Sequence, residues 1–209
     1  MKLLDLFCGA GGAAMGYHQA GFEVVGIDID PMRDYPFEFH QADALEYAAA
    51  HGHEFDFIHA SPPCQVYSAM QHIWSNQDEH PDLVAPTREL LEEIGKPYVI
   101  ENVVGAPLRV DLMLCGTMFG LRIIRHRIFE SNISMPLLTP VCNHADVYDP
   151  WHGDKNADEF REAMGIDWMR DTGGGKRKGT LSHAIPPAYT KFIGGHLANT
   201  AILSNTACT

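Results

Sequence analysis

The sequence has no CxxC pair, no long apolar run and few basic groups, and each shortage closes off a class of protein. The five cysteines (Cys8, Cys64, Cys115, Cys142 and Cys208) are odd in number and scattered. That pattern excludes a disulfide framework and suits a reducing compartment, where a single thiol can serve as a nucleophile. No stretch approaches the ~18–20 apolar residues of a membrane-spanning helix. The opening MKLLDLFCGAGG has one Lys and a short apolar run, but it leads into glycines and not into a small-residue cleavage site. It reads as a buried first strand and not as a signal peptide, so an intracellular protein is expected. Cys142, His144 and His152 make a loose potential metal set, but their spacing matches no familiar zinc site and no metal is expected. No internal repeat is present.

The shortage of positive charge is uneven. Lys and Arg number 15 against 27 Asp and Glu, a net charge of −12 that disfavours an extended nucleic-acid surface. Residues 1–120 hold 5 basic against 18 acidic groups, whereas residues 121–209 hold 10 against 9. Basic groups gather at Arg122, Arg125 and Arg127 and again at Lys176, Arg177 and Lys178. A surface for phosphates would have to come from this later part, with modest and salt-sensitive affinity. The run Gly173–Gly179 reads equally well as a solvated loop.

What the chain does have is a regular alternation of strands and helices. Lys2–Phe7, Glu23–Ile27, Phe37–Gln41, Asp56–Ala60 and Pro97–Ile100 read as strands. Ala13–Ala20, Ala44–Ala50 and Leu83–Ile94 read as the helices between them. Such a chain of 209 residues forms one α/β domain with a doubly wound, mostly parallel sheet. Beyond Glu101 the pattern loosens: a strand at Leu121–Glu130, a helix at Ala157–Met164, a closing helix at Ile185–Leu197 and a loose polar tail from Ala198. Val66–His80 reads as a mobile loop.

In doubly wound sheets, ligands sit at the carboxyl ends of the strands. The chemistry-bearing residues fall there. Phe7, Cys8, Gly9, Ala10, Gly11 and Gly12 form a glycine loop between a strand and a helix, where a cofactor can approach the backbone. Asp28, ending the second strand, suits the two hydroxyls of a ribose, and Asp43 suits an adenine amino group. The sharpest signal is Ser61-Pro62-Pro63-Cys64-Gln65. Two prolines stiffen the turn, and a thiolate is the side chain best suited to adding reversibly to an electron-poor ring carbon.

In order, DLFCGAGG, GIDID, Asp43, SPPCQ, ENV, an Arg-x-Arg and AIPPAYTKFIG resemble the motifs of the DNA cytosine-5 methyltransferases, over most of residues 1–197. The short form, with RHRIFE, is similar to compact bacteriophage members. The resemblance implies a Rossmann-like class I methyltransferase fold with a very small C-terminal recognition segment. It implies S-adenosylmethionine as cofactor, double-stranded DNA as partner, and a bacterial or phage-infected cytoplasm in a restriction-modification setting. By the same resemblance, Cys64 adds to C6 of a flipped-out cytosine so that C5 can accept the methyl group. Glu101 engages N3 and the exocyclic amine, Arg127 holds the O2 edge, and Arg125 supports the loop. Phe7 to Gly12, Asp28, Ile29, Asp43, Pro63 and Ile185 contact the cofactor.

The implied division is a catalytic domain at 1–134, a reduced recognition segment at 135–180, a returning helix at 181–199 and a tail at 200–209. Two departures from the family pattern stand out: Ile123 where Gln is common, and Ser182-His183 in place of an Asn-containing turn. The recognition region is about 50 residues, too few for an independent domain, so a short target or a partner protein is implied. Oligomeric state is unspecified. The same chemistry on RNA or a free cytidine nucleotide, and a non-catalytic binding protein, are the competing readings.

Overall fold

A computed structural model describes residues 1–63, 67, 82–136, 139–145, 147, 157–170 and 180–206. Among these residues seven strands form: β1 (Lys2–Leu6), β2 (Glu23–Asp28), β3 (Glu38–Gln41), β4 (Phe57–Ala60), β5 (Tyr98–Asn102), β6 (Leu112–Leu114) and β7 (Arg127–Ser131). They form one sheet in the order β3-β2-β1-β4-β5-β7-β6. Neighbours from β3 to β5 pair in parallel, while β7 runs antiparallel to both β5 and β6. This is the doubly wound, mostly parallel sheet of the class I methyltransferase architecture.

Among the described residues six α-helices accompany the sheet: α1 (Gly12–Gln19), α2 (Ala44–His51), α3 (Val84–Ile94), α4 (Ala157–Met164), α5 (Thr180–His183) and α6 (Pro187–Thr206). Helices cover both faces, so the central strands read as nearly continuous apolar runs and not as alternating ones; β4 and β5 are buried along their whole lengths. One core contains Tyr17, Val99, Phe129, Tyr189 and Ile193, and the other Leu4, Leu6, Ile58, Leu91 and Ile100. The first depends on a close approach of α1 to α6. A Cβ on Gly16 would lie 2.0 Å from Thr190 Oγ1 and 2.1 Å from the Pro187 carbonyl oxygen, so no larger residue fits without separating the helices. Thr190 completes the contact by donating to the Ala13 carbonyl at 2.8 Å.

Two sequence expectations change. The strand expected at Leu121–Glu130 is confined to β7, because Arg125 is drawn away to the backbone of Ser182. Its hairpin partner β6 is too short to show a periodicity. The tail expected from Ala198 continues α6 to Thr206: after Gly195 no Gly or Pro interrupts the chain, and Ala, Leu and Ile sustain a helix once started. Glu130, inside the expected strand, is structural. Its carboxylate takes Arg88 Nε at 2.6 Å and Nη2 at 2.8 Å, which fastens α3 to β7. No helix among the described residues is long and apolar enough to cross a membrane.

Candidate active site

The glycine loop leaves β1 through an uncommon backbone turn. Phe7 has φ 56°, the sole positive φ outside glycine among the described residues, and Gly9 and Gly11 follow at 51° and 87°. Phe7 stays packed against the core while the chain reverses into α1. A Cβ built on Gly9 would meet nothing within 4 Å, so the loop opens onto free space at the sheet edge, whereas Gly11 is needed for close packing, 2.9 Å from Pro36 Cδ. Ala10 is buried, and its carbonyl accepts the Trp168 indole N–H at 2.9 Å. Gly12 meets the backbone of Ile185, itself buried, so the residue expected to close the pocket packs directly on the loop.

Asp28 lies across from this loop. One carboxylate oxygen accepts from Gly9 N–H at 2.9 Å and the other from Asp30 N–H at 3.1 Å, which fixes its plane. Burial nevertheless pushes its pKa up. Beside it Ile29 is 66% exposed, an apolar side chain left in the open at a strand end. Asp43 is the N-cap of α2, its Oδ1 accepting from Leu45 and Glu46 N–H; this places it at the carboxyl edge with a structural duty of its own.

Under the loop runs a buried polar seam that sequence reading passed over. Asp5 on β1 and His59 on β4 are register partners and fully buried. His59 lies 3.1 Å from Tyr17 Oη and 3.0 Å from Ser61 Oγ. Asp5 accepts from the Tyr35 hydroxyl at 3.5 Å, and burial, then Asp28, pushes its pKa well up. The signal was a single polar residue inside each apolar run, LLDLF and FIHA. Burial also depresses His59 to about 3, so it is neutral in the fold. Unfolding restores an ordinary imidazole near 6.5. The stability due to neutral His59 is therefore complete above pH 6.5 and drains away as pH falls towards 3, by about 1.4 kcal/mol per unit. Asp5 acts in the opposite sense, so the contribution is read as a difference. In chemical denaturation, the advantage of wild type over His59→Asn is expected to shrink with that slope between pH 6.5 and 4. A constant difference would show that His59 is not held neutral.

At the end of β5, Glu101 is 5% exposed, and Arg127 at the start of β7 brings its Nε to 2.9 Å from Glu101 Oε1. Burial pushes the Glu101 pKa up, against the opposing pull of Arg127, a hydrogen bond from Ser61, and Arg125. Arg127 Nη1 also donates to the His126 carbonyl at 2.8 Å. Arg125 turns the other way: Nη2 donates to the Ser182 carbonyl at 2.7 Å, and its own carbonyl accepts the Tyr189 hydroxyl at 2.6 Å. Asn102, next to Glu101, donates to the Pro62 carbonyl at 3.0 Å and accepts Val103 N–H at 2.8 Å. That bond ties the Pro62-Pro63 turn to the carboxylate strand. Cys64, Gln65, most of the loop 66–80, His152 and Lys176 to Lys178 lie outside the described residues.

Thus Phe7 to Gly12, Asp28, Ile29, Asp43, Pro63, Glu101 and Arg127 all lie at or next to carboxyl strand ends or the loops that leave them. A model of the C-5 cytosine-specific DNA methylase family matches residues 1–107, more than half of the chain. The chain belongs to that family. The matched region holds the glycine loop, Asp28, SPPCQ and Glu101; Arg125 and Arg127 lie beyond it.

Among curated proteins, the chain is 31% identical to the type II methyltransferase M.AquIA of Picosynechococcus sp., over 50% of this chain and 49% of that protein. It is also 31% identical to M.AgeI of Thalassovita gelatinovora, over 50% of this chain and 28% of that one. The chain therefore spans about half or less of the length of these relatives. Among solved structures it is similar to the Dnmt2 methyltransferase of S. pombe, with a TM-score of 0.47 and 15% identity over 85% of this chain and 57% of the other.

Proposed function

We propose that this chain methylates C5 of cytosine in double-stranded DNA, with Cys64 forming a transient bond to C6 of a flipped-out base. The observation that carries the reading is the Glu101–Arg127 contact at 2.9 Å. One edge of a cytosine presents O2, N3 and the exocyclic amine in succession. A protein that grips that edge needs a cation for O2 directly beside a carboxyl for N3 and the amine. Addition of a thiolate to C6 pushes charge onto N3, and a carboxyl whose pKa burial has raised can meet it with a proton. Cys64 follows Pro62 by two residues, and the Pro62 carbonyl is bound by the residue after Glu101.

The loop and strand ends suit S-adenosylmethionine. Gly9 opens onto free space, Asp28 is oriented for a ribose, and exposed Ile29 offers a face for adenine, with Phe7, Cys8, Ala10, Gly11, Gly12, Asp43, Pro63 and Ile185 around them. When bound, that cofactor supplies an electrophilic methyl group. Residues 1–134 form the catalytic part in this reading. Residues 135–180 are a reduced recognition segment whose Trp168 bonds the glycine loop, and 181–199 return to the catalytic part. In this reading the phosphate contacts come from the part of the sequence after residue 120, where basic groups are concentrated, and the compact, phage-like form leaves room for a partner protein in target choice.

The test is acceptor choice. The purified chain with labelled cofactor is expected to place label in duplex DNA as 5-methylcytosine, and bisulfite sequencing of host DNA then gives the target site. Label in RNA or in free cytidine nucleotide, with none in duplex DNA, would transfer the chemistry to that acceptor.

A further inference from the structure

Outside the active site, four metal-ligating side chains from three separate stretches converge. Cys115 follows β6, His126 lies between Arg125 and Arg127, and Cys142 and His144 belong to the segment 139–145. One donor atom from each lies within 4.8 Å of the other three. The register Leu114↔Arg127 of the β6–β7 hairpin explains half of the arrangement, because the next residues along are Cys115 and His126. Cys115 Sγ is 3.8 Å from His144 Nε2, and Cys142 Sγ is 3.6 Å from His126 Nε2 and 2.8 Å from His144 Nε2. A tetrahedral zinc ion with Zn–S near 2.3 Å and Zn–N near 2.0–2.1 Å has donor-to-donor edges of roughly 3.3–3.8 Å. Two of the three distances match those edges, and the third needs an adjustment well under 1 Å.

We propose that Cys115, His126, Cys142 and His144 form a closed Cys2His2 site for a zinc-type divalent ion, and that the ion fastens segment 139–145 to the hairpin that carries Arg127. Two thiolates and two imidazoles select zinc over magnesium or calcium, and four protein ligands leave no open position, as in a structural site. The surroundings support the sulfurs. Thr117 Oγ1 donates to Cys115 Sγ at 3.4 Å and lies 3.4 Å from Cys142 Sγ, and backbone N–H groups of Thr117 and Arg125 also bond the Cys115 sulfur. Thiols are weak donors, so their own hydrogen bonds give little reason for four such groups to meet. The ion also bears on the active site, since the His126 carbonyl holds Arg127 Nη1 and Arg127 faces Glu101. Sequence reading grouped Cys142 and His144 with His152 instead; Cys115 and His126 enter only through the hairpin register.

The test reads metal and does not depend on methylation. The full chain, made without a polyhistidine tag in zinc-supplemented medium and purified reduced, is expected to hold about one zinc per molecule by mass spectrometry. Cobalt exchange is expected to give the visible bands of a tetrahedral ion and a thiolate charge-transfer band. His144→Ala changes an exposed ligand and is safe for folding; it and Cys142→Ser are expected to retain less than about a tenth of the zinc. Cys64→Ser is expected to keep it all, which separates this site from the catalytic one. Reduced wild type with less than about a tenth of an equivalent and no cobalt bands, or a Cys115–Cys142 disulfide in place of metal, would overturn the assignment.

Discussion

Cys64→Ala is expected to abolish methyl transfer to duplex DNA, by about 10³-fold or more, while binding of S-adenosylmethionine is unchanged. The size of the effect follows from the chemistry. C5 of cytosine is a poor nucleophile until a group bonds to C6, and no other side chain in the SPPCQ turn can form that bond. Serine is no rescue, because at neutral pH its hydroxyl holds its proton while a thiol titrates within reach of physiological pH. Cys64→Ser is therefore expected to be nearly as inactive. The cofactor contacts proposed for Gly9, Asp28 and Ile29 belong to different strand ends and do not pass through Cys64, so calorimetric binding should survive. Duplex DNA containing 5-fluorocytosine gives an independent reading, since fluorine cannot leave as a proton does. Wild type should become covalently trapped on it and Cys64→Ala should not. Methyl incorporation equal to wild type in the alanine variant would remove Cys64 from the mechanism.

The strands that position this chemistry were legible in the sequence because they are buried on both faces and end in abrupt polar turns. DLFCGAGG, GIDID and SPPCQ each mark a place where an apolar run stops at the sheet edge. Periodicity reports burial, and it does not report partners. Glu101 at a strand end and Arg127 in the family's Arg-x-Arg were therefore named separately, while their contact depends on the antiparallel return of β7 beside β5, which pairs Asn102 with Ile128. The same limit hid the polar seam. Asp5 and His59 sit inside otherwise apolar strands, and only the parallel register makes them neighbours. Asp43 shows a different limit: the sequence marked the position, and the structure gives it a helix cap, a duty that short-range spacing also announces and that ligand-seeking passed over. The Cys115–His126 pairing has no local signal at all, because it rests on a three-residue strand.

Glu101→Gln is the second large effect, with kcat expected to fall by about 10²-fold and cofactor affinity unchanged. Glutamine keeps the shape and can still donate from its amide to N3, so the loss isolates proton donation from positioning. Wild type carries a pH signature that the variant should lack. Burial raises the Glu101 pKa while Arg127 and the Ser61 hydrogen bond oppose the rise. The acid form that serves N3 therefore persists above the ordinary carboxylate range, and kcat should decline as pH climbs through that raised value. With glutamine at position 101 this alkaline decline should vanish, leaving a lower and flatter profile. Arg127 loses its partner in the variant but keeps its bond to the His126 carbonyl, so a thermal midpoint measured alongside shows whether the fold itself has suffered. A variant that keeps wild-type kcat, or one that loses activity yet retains the same alkaline decline, would mean that the proton reaching N3 comes from another group.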